Sequence, residues 1–152
     1  MRPGRISRRI VLDRIAWAER MLAEIRALPL ATQQDFMADR RNIWAAESCL
    51  RRALEAVLDL GRHICGKGFG LGVSEYKEIA SRLQEFGVLS AQEAHLLRLL
   101  AGYRNRLVHF YHEVTPDELY ELCRDHLGDV EVVVNAYRNW LRTNSHLLDE
   151  TL

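Results

Sequence analysis

The chain has 152 residues, room for one core and short for two. Its 21 Lys and Arg balance 21 Asp and Glu, so no net charge draws the whole molecule toward nucleic acid. No apolar run nears the ~20 residues needed to cross a bilayer, and no apolar signal-type segment follows the basic start MRPGRISRR. The expectation is a cytoplasmic protein with no membrane partner.

Apolar residues recur at helical spacing along almost the whole chain, and no stretch alternates convincingly with period two. Val11, Ile15, Ala18, Leu22 and Ile25 step by three and four and define a first helix, which ALPLAT ends at Pro29. The spacing predicts a long second helix over about 35–64, with Ile43, Ala46, Leu50, Leu54, Val57, Leu58 and Ile64 on one stripe. GKGFGLG (66–72) ends it. A phosphate loop needs a preceding strand and a Lys followed by Ser or Thr at its end. Here a helix precedes and Lys67 sits near the start, so the glycines read as a flexible turn.

Ser74 is the expected cap of a short third helix through Phe86, with Ile79, Leu83 and Phe86 on one face. SAQE (90–93) is a capping box that opens a fourth helix through Leu96, Leu100, Tyr103, Leu107 and Tyr111. TPDE (115–118) reads as a second capping box, with Pro116 where helices accept proline. The fifth helix carries Leu119, Leu122, Val130, Val133, Tyr137 and Trp140 and ends near TNSH. The expected fold is all-α: an antiparallel bundle of four long helices plus one short helix, in a single domain over 1–152.

Charge is unevenly spread. Of the 21 basic residues 19 are Arg, whose planar fork suits phosphate, although a base-composition bias would produce the same count. Residues 94–112 hold Arg98, Arg104, Arg106, His95, His109 and His112 and no acid. The six His form no HExxH and no Cys/His cluster, so no metal site is expected, and GxSxG is absent. Cys49, Cys65 and Cys123 stand at no metal-like spacing and read as buried free thiols in a reducing compartment.

The end of the fourth helix concentrates the reactive side chains. On an ideal helix Arg104 and Tyr111 fall on nearly one line, and Asn105, His109 and His112 make a second line beside it. Arg104 and His109 stand about 140° apart, so a bent Arg or a deformed last turn is needed for both to address one phosphate. Cutting RNA without a metal requires a base for the 2′-hydroxyl, an acid for the leaving oxygen and a cation for the phosphorane-like transition state. Imidazole serves the first two and guanidinium the third. On the second helix Glu47, Arg51, Glu55, Asp59 and His63 are spaced by four throughout. They form either a solvated face or, if turned toward the fourth helix, acids that orient Arg104 or His109.

RNRLVHFY resembles the HEPN signature, and its form with Arg, four residues, His, one residue and Tyr resembles the HepT-like toxins of bacteria and archaea. ALEAVLDLGRHI (53–64), GLGVSEYKEIASRL (70–83) and YRNRLVHFYHEVTPDELYELC (103–123) follow that family's layout, and the resemblance covers roughly residues 6–142. It implies an all-α homodimer and a metal-independent endoribonuclease that needs no cofactor and whose two motif copies meet at the dimer interface. Arg104 and His109 match the catalytic pair, and Asn105 the polar residue after Arg. Tyr111 matches the tyrosine that an MNT-type nucleotidyltransferase antitoxin adenylylates using ATP and magnesium. Glu47, Glu55, Asp59 and His63 also match family positions, whereas Ser48 stands where the family often has Arg. The alternative is a non-catalytic HEPN module that only binds a nucleotidyltransferase or a nucleotide. A plain structural bundle with Arg104 and His109 as a surface pair is a third reading.

Overall fold

Helix α1 (Arg8–Arg26) begins where the Ser7 hydroxyl accepts a hydrogen bond from the Ile10 amide, and it buries Val11, Ile15, Ala18, Met21, Leu22 and Ile25. The computed structural model describes residues 5–150; the first residues of MRPGRISRR and the two ends of the expected 1–152 domain lie outside them. Seven α-helices follow one another among the described residues: α1, α2 (Gln33–Met37), α3 (Arg40–His63), α4 (Tyr76–Glu85), α5 (Ala91–His109), α6 (Pro116–Asp125) and α7 (Leu127–Thr143). The four long ones, α1, α3, α5 and α7, form the expected all-α bundle. Three short helices accompany them rather than one. A two-residue parallel pairing of β1 (Ile6–Ser7) with β2 (Leu148–Asp149), which the helical periodicity gave no sign of, ties the two ends of the described chain together.

The differences from expectation have local causes. The second helix does not start at 35. Thr32 caps α2 by accepting from the Asp35 amide, and Asp39 then caps α3 by accepting from the Arg41 amide at 2.9 Å. Two good caps seven residues apart make two helices. The fifth helix splits at His126, whose imidazole lies 3.3 Å from Asp129 in the first turn of α7. Ser74 does not cap α4; Glu75 occupies that position without a side-chain bond. SAQE forms the full capping box, but in TPDE only Thr115 does its part, because Arg106 takes the Glu118 carboxylate. The glycine cluster is an ordered turn: α3 runs into one π-helical turn (Ile64–Gly68), and the Gly70 and Leu71 amides bond back to Gly66 and Cys65 at 3.0 Å.

The core lies where α3 meets α1, α4, α5, α6 and α7. At Gly61 a Cβ would stand 2.7 Å from the Tyr137 hydroxyl and 2.9 Å from Ile79 Cγ2, so glycine lets α4 and α7 close onto α3. Tyr137 is wholly buried and donates to the Val57 carbonyl at 3.3 Å. Cys65 and Cys123 are buried thiols, pushed by burial to about 11 and about 12, whereas Cys49 is only half-buried. This packing fixes α4 against α3, which decides what Arg104 of α5 faces.

Candidate functional site

Arg104 leaves α5 toward the acidic stripe of α3. Its Nη2 lies 3.5 Å from Glu55 Oε1, and its Nη1 donates to Asn105 Oδ1 at 3.3 Å. The guanidinium carbon sits 4.8 Å from the centre of the Tyr76 ring, at the first residue of α4. Only 20% of the side chain is exposed, and its Nε is buried without a hydrogen-bond partner. A cleft of about 330 Å³ opens beside it, lined by Arg62, Ser74, Glu75, Tyr76, Lys77 and Asn105. The cleft therefore lies beside a guanidinium whose terminal nitrogens make only long polar contacts, while its unpartnered Nε is turned away from solvent.

Around Arg104 the α3 residues form a connected set. Glu55 is shared between Arg51, at 3.3 Å, and Arg104. Asp59 accepts from the Tyr76 hydroxyl at 3.1 Å and lies 3.5 Å from Arg62. Arg62 also donates to the carbonyls of Val73 and Ser74 at 3.1 Å, fastening the segment that leads into α4. Burial, reinforced by the Asp59 charge, raises the Tyr76 phenol above its ordinary range, with Arg104 and Arg62 opposing. Two of the expected orienting acids, Glu55 and Asp59, thus do reach Arg104, directly and through Tyr76. Glu47 is half-buried on the same helix and bonds to neither Arg104 nor His109. His63 serves elsewhere: its Nε2 accepts the Ser7 backbone N–H at 3.0 Å, and burial, then Lys67 and Arg14, hold its pKa below the usual value.

His109 is the last residue of α5 and is exposed. The last turn does not deform, since Phe110 N still bonds Arg106 O at 2.9 Å. Nor does Arg104 bend back: it turns to α3 and α4, so no contact joins Arg104 to His109 within one chain. Tyr111 has left the helix. Phe110 departs from helical backbone at ψ 40°, and Tyr111–Glu113 form a single 3₁₀ turn, so Tyr111 and His112 are off the lines the ideal helix assigned them. Tyr111 is 61% exposed and touches His112 edge to face. This turn is braced from below by Arg106, which holds Glu118 with two bonds of 2.5 and 2.8 Å.

Tyr76 and Arg62 escaped the sequence reading as site residues. The one signal was an aromatic at the start of α4, one turn ahead of the Ile79 and Leu83 stripe. A second hollow of about 540 Å³ is lined by Arg5, Arg9, Arg14, His63 and Lys67 together with Asp13. Among the described residues no group of three or more His, Cys, Asp or Glu side chains could hold a metal ion, and no helix is long and apolar enough to cross a membrane.

A family model described as ribonuclease HepT-like matches residues 18–137. No curated protein is significantly similar in sequence. Among solved structures, the tri-AMPylated HEPN toxin of Shewanella oneidensis, in complex with MNT antitoxin, superposes with a TM-score of 0.76 at 22% identity, covering 86% of this chain and 97% of that one. A toxin–antitoxin structure with AMP-PNP gives 0.75 at 21% identity, with 84% and 97% covered. A cytosolic protein of unknown function, YutE from Bacillus subtilis, gives 0.75 at 22%, with 92% and 94% covered.

Proposed function

The chain belongs to the ribonuclease HepT-like family, and from that premise we propose that it is a metal-independent endoribonuclease toxin whose working groups are Arg104 and His109. The family supports ribonuclease-type activity in general. The observation that carries the reading for this chain is Arg104: half-buried against Glu55, Asn105 and the Tyr76 ring, with its terminal nitrogens in only long polar contacts at the edge of a cleft. In the reaction the 2′-oxygen attacks the adjacent phosphorus while a base removes its proton. The P–O5′ bond breaks with a proton delivered to the leaving oxygen, and a 2′,3′-cyclic phosphate remains. Arg104 stabilises the charge that grows on the non-bridging oxygens, and Asn105 steadies it. His109 supplies proton transfer.

A single chain presents Arg104 and His109 on different sides of α5. A two-fold pair of chains brings a second set of the same groups to one place, because an isologous interface repeats one patch. The working unit is accordingly a homodimer in the cytoplasm, with RNA as substrate. The likeness to a tri-AMPylated HEPN toxin in complex with MNT antitoxin supports a nucleotidyltransferase antitoxin as partner; the residue we assign to its adenylylation is Tyr111, on its exposure and its place after the motif. An exposed phenol on a turn outside the helix is within reach of another enzyme's active site. An added phosphate and base at that rim would compete with substrate for the arginine.

One observation favours the binding-only reading: Arg104 already shares the charge of Glu55 and makes no contact with His109. Incubating the protein with RNA separates the two readings, since a ribonuclease cuts and its His109→Ala variant does not, whereas a binding module leaves RNA whole. For Tyr111, incubation with the partner, ATP and magnesium should add AMP to the peptide that contains it and abolish cleavage. AMP on another peptide, or neutralisation of Tyr111→Phe as complete as that of the wild type, would remove Tyr111 from this role.

A further inference from the structure

We propose that Tyr76 is the positioning residue of Arg104, acting through its ring rather than its hydroxyl; this rests on Arg104 being the phosphate-binding group.

The polar contacts of Arg104 are too long to define its orientation. Glu55 stands at 3.5 Å, Asn105 of the same helix at 3.3 Å, and Nε has no partner, whereas charge-assisted hydrogen bonds of this kind close to about 2.7–2.9 Å. Two residues away Arg106 shows what a carboxylate does to a guanidinium: bonds of 2.5 and 2.8 Å occupy both terminal nitrogens. A cation held that way has little left to offer a phosphate. An aromatic face solves the problem differently. It attracts the guanidinium through the ring quadrupole and leaves the N–H edge free for a bidentate acceptor. The 4.8 Å separation of Arg104 from the Tyr76 ring is within the range of that attraction.

The ring is itself well fixed. Tyr76 opens α4, whose Ile79 and Leu83 are fully buried and close onto α3 at Gly61. Its hydroxyl donates to Asp59. Arg62 also lies 4.8 Å from the ring centre, but it spends its donors on the Val73 and Ser74 carbonyls and on Asp59. Two guanidiniums thus share one ring: one fastens the segment before α4, and the other keeps its donors for the cleft.

The test compares Tyr76→Phe, which keeps the ring, with Tyr76→Met, which keeps bulk without it. Two readouts are used. The first is the NMR signal of the Arg104 Nε–Hε group, assigned by its loss in Arg104→Lys, since a buried N–H beside a ring is shifted and slow to exchange. The second is steady-state cleavage of an RNA oligonucleotide. The Phe variant should keep the Arg104 signal and a kcat within about threefold of wild type. The Met variant should lose the ring shift, raise exchange and mobility at Nε, and lower kcat about 10- to 100-fold, the range a small misplacement of a catalytic group produces. A Met variant with an unchanged signal and rate overturns the proposal. So does a Phe variant as impaired as Met, which would assign the role to the hydroxyl. A Met variant that unfolds would make the ring a prop of the fold and overturns it equally. If Met frees the Arg104 signal while the wild type cuts no RNA, the positioning stands and the ribonuclease reading fails.

Discussion

Arg104 and Arg106 stand two residues apart on α5 and are used in opposite ways. Arg106 reaches α6 and locks onto Glu118 with two short bonds. That bonding raises its own pKa above the usual range and holds the Glu118 carboxyl below its own. Arg104 reaches α3 and α4, is less exposed, and makes only long polar contacts beside an aromatic face. Arg106 has both terminal nitrogens taken by short bonds, whereas those of Arg104, the cation proposed to meet phosphate, make only long contacts beside a cleft. The acid-free stretch 94–112 is uniform in sequence; the fold divides it into a brace at Arg106 and a candidate site at Arg104.

The comparison breaks most visibly at the site. His109→Ala should lower the RNA cleavage rate on the order of 10²–10⁴-fold, as loss of a general acid or base does. Arg104→Ala should lower it on the order of 10²–10³-fold, as loss of a transition-state charge contact does. Both should keep helical circular dichroism, and toxicity on expression in bacteria should vanish with the activity. A cleaving His109→Ala protein would end the account of the site.

Arg106→Ala should do the reverse. Its pair with Glu118 is about one-third exposed on each side, so its removal should cost only ~0.2–1 kcal/mol. Hydrogen exchange should quicken at residues 110–114, while cleavage by the free protein stays within a few-fold of wild type. Loss of activity comparable to that of Arg104→Ala would erase the distinction between the two arginines.

Glu55→Gln sharpens the contrast from the other side. It removes the carboxylate that Arg104 shares with Arg51 and should strengthen RNA binding about 2- to 5-fold, the size of a partly exposed ion pair. Weaker binding would mean that Glu55 orients Arg104 more than it competes for it.

The smallest effect lies outside the site, at His63. Its folded pKa is lowered, by burial first and then by Lys67 and Arg14, and its Nε2 must be unprotonated to accept from Ser7. The stability it contributes is therefore present above its unfolded value of about 6.5 and is lost as pH falls toward the folded value. Melting temperature should decline from pH 7.5 to 5, and His63→Gln should flatten that slope. An unchanged slope would assign the decline to other groups.

Much of this was legible in the sequence, unevenly. The α1 stripe from Val11 to Ile25 and the SAQE capping box were read correctly, because both depend on residues within one or two turns. Spacing and family likeness together single out Arg104, Asn105, His109 and Tyr111 as the candidate site. The break before α3 was missed because its apolar periodicity runs straight through Asp39, and only the cap reveals a new start. Tyr111 was placed on the Arg104 line because neither Pro nor Gly marks the end of α5; the helix stops at Phe110 through its backbone angles alone. For Tyr76 the sequence offers no more than an aromatic at the start of α4, since its meaning lies in meeting Arg104 and Arg62 across three helices.

The most direct test of the central claim is single-turnover cleavage of an end-labelled RNA by purified protein in EDTA, wild type beside His109→Ala. The account predicts fragments ending in a 2′,3′-cyclic phosphate from the wild type and a rate at least about 100-fold lower from the variant. Equal rates for the two proteins, or cleavage that EDTA abolishes, would contradict it.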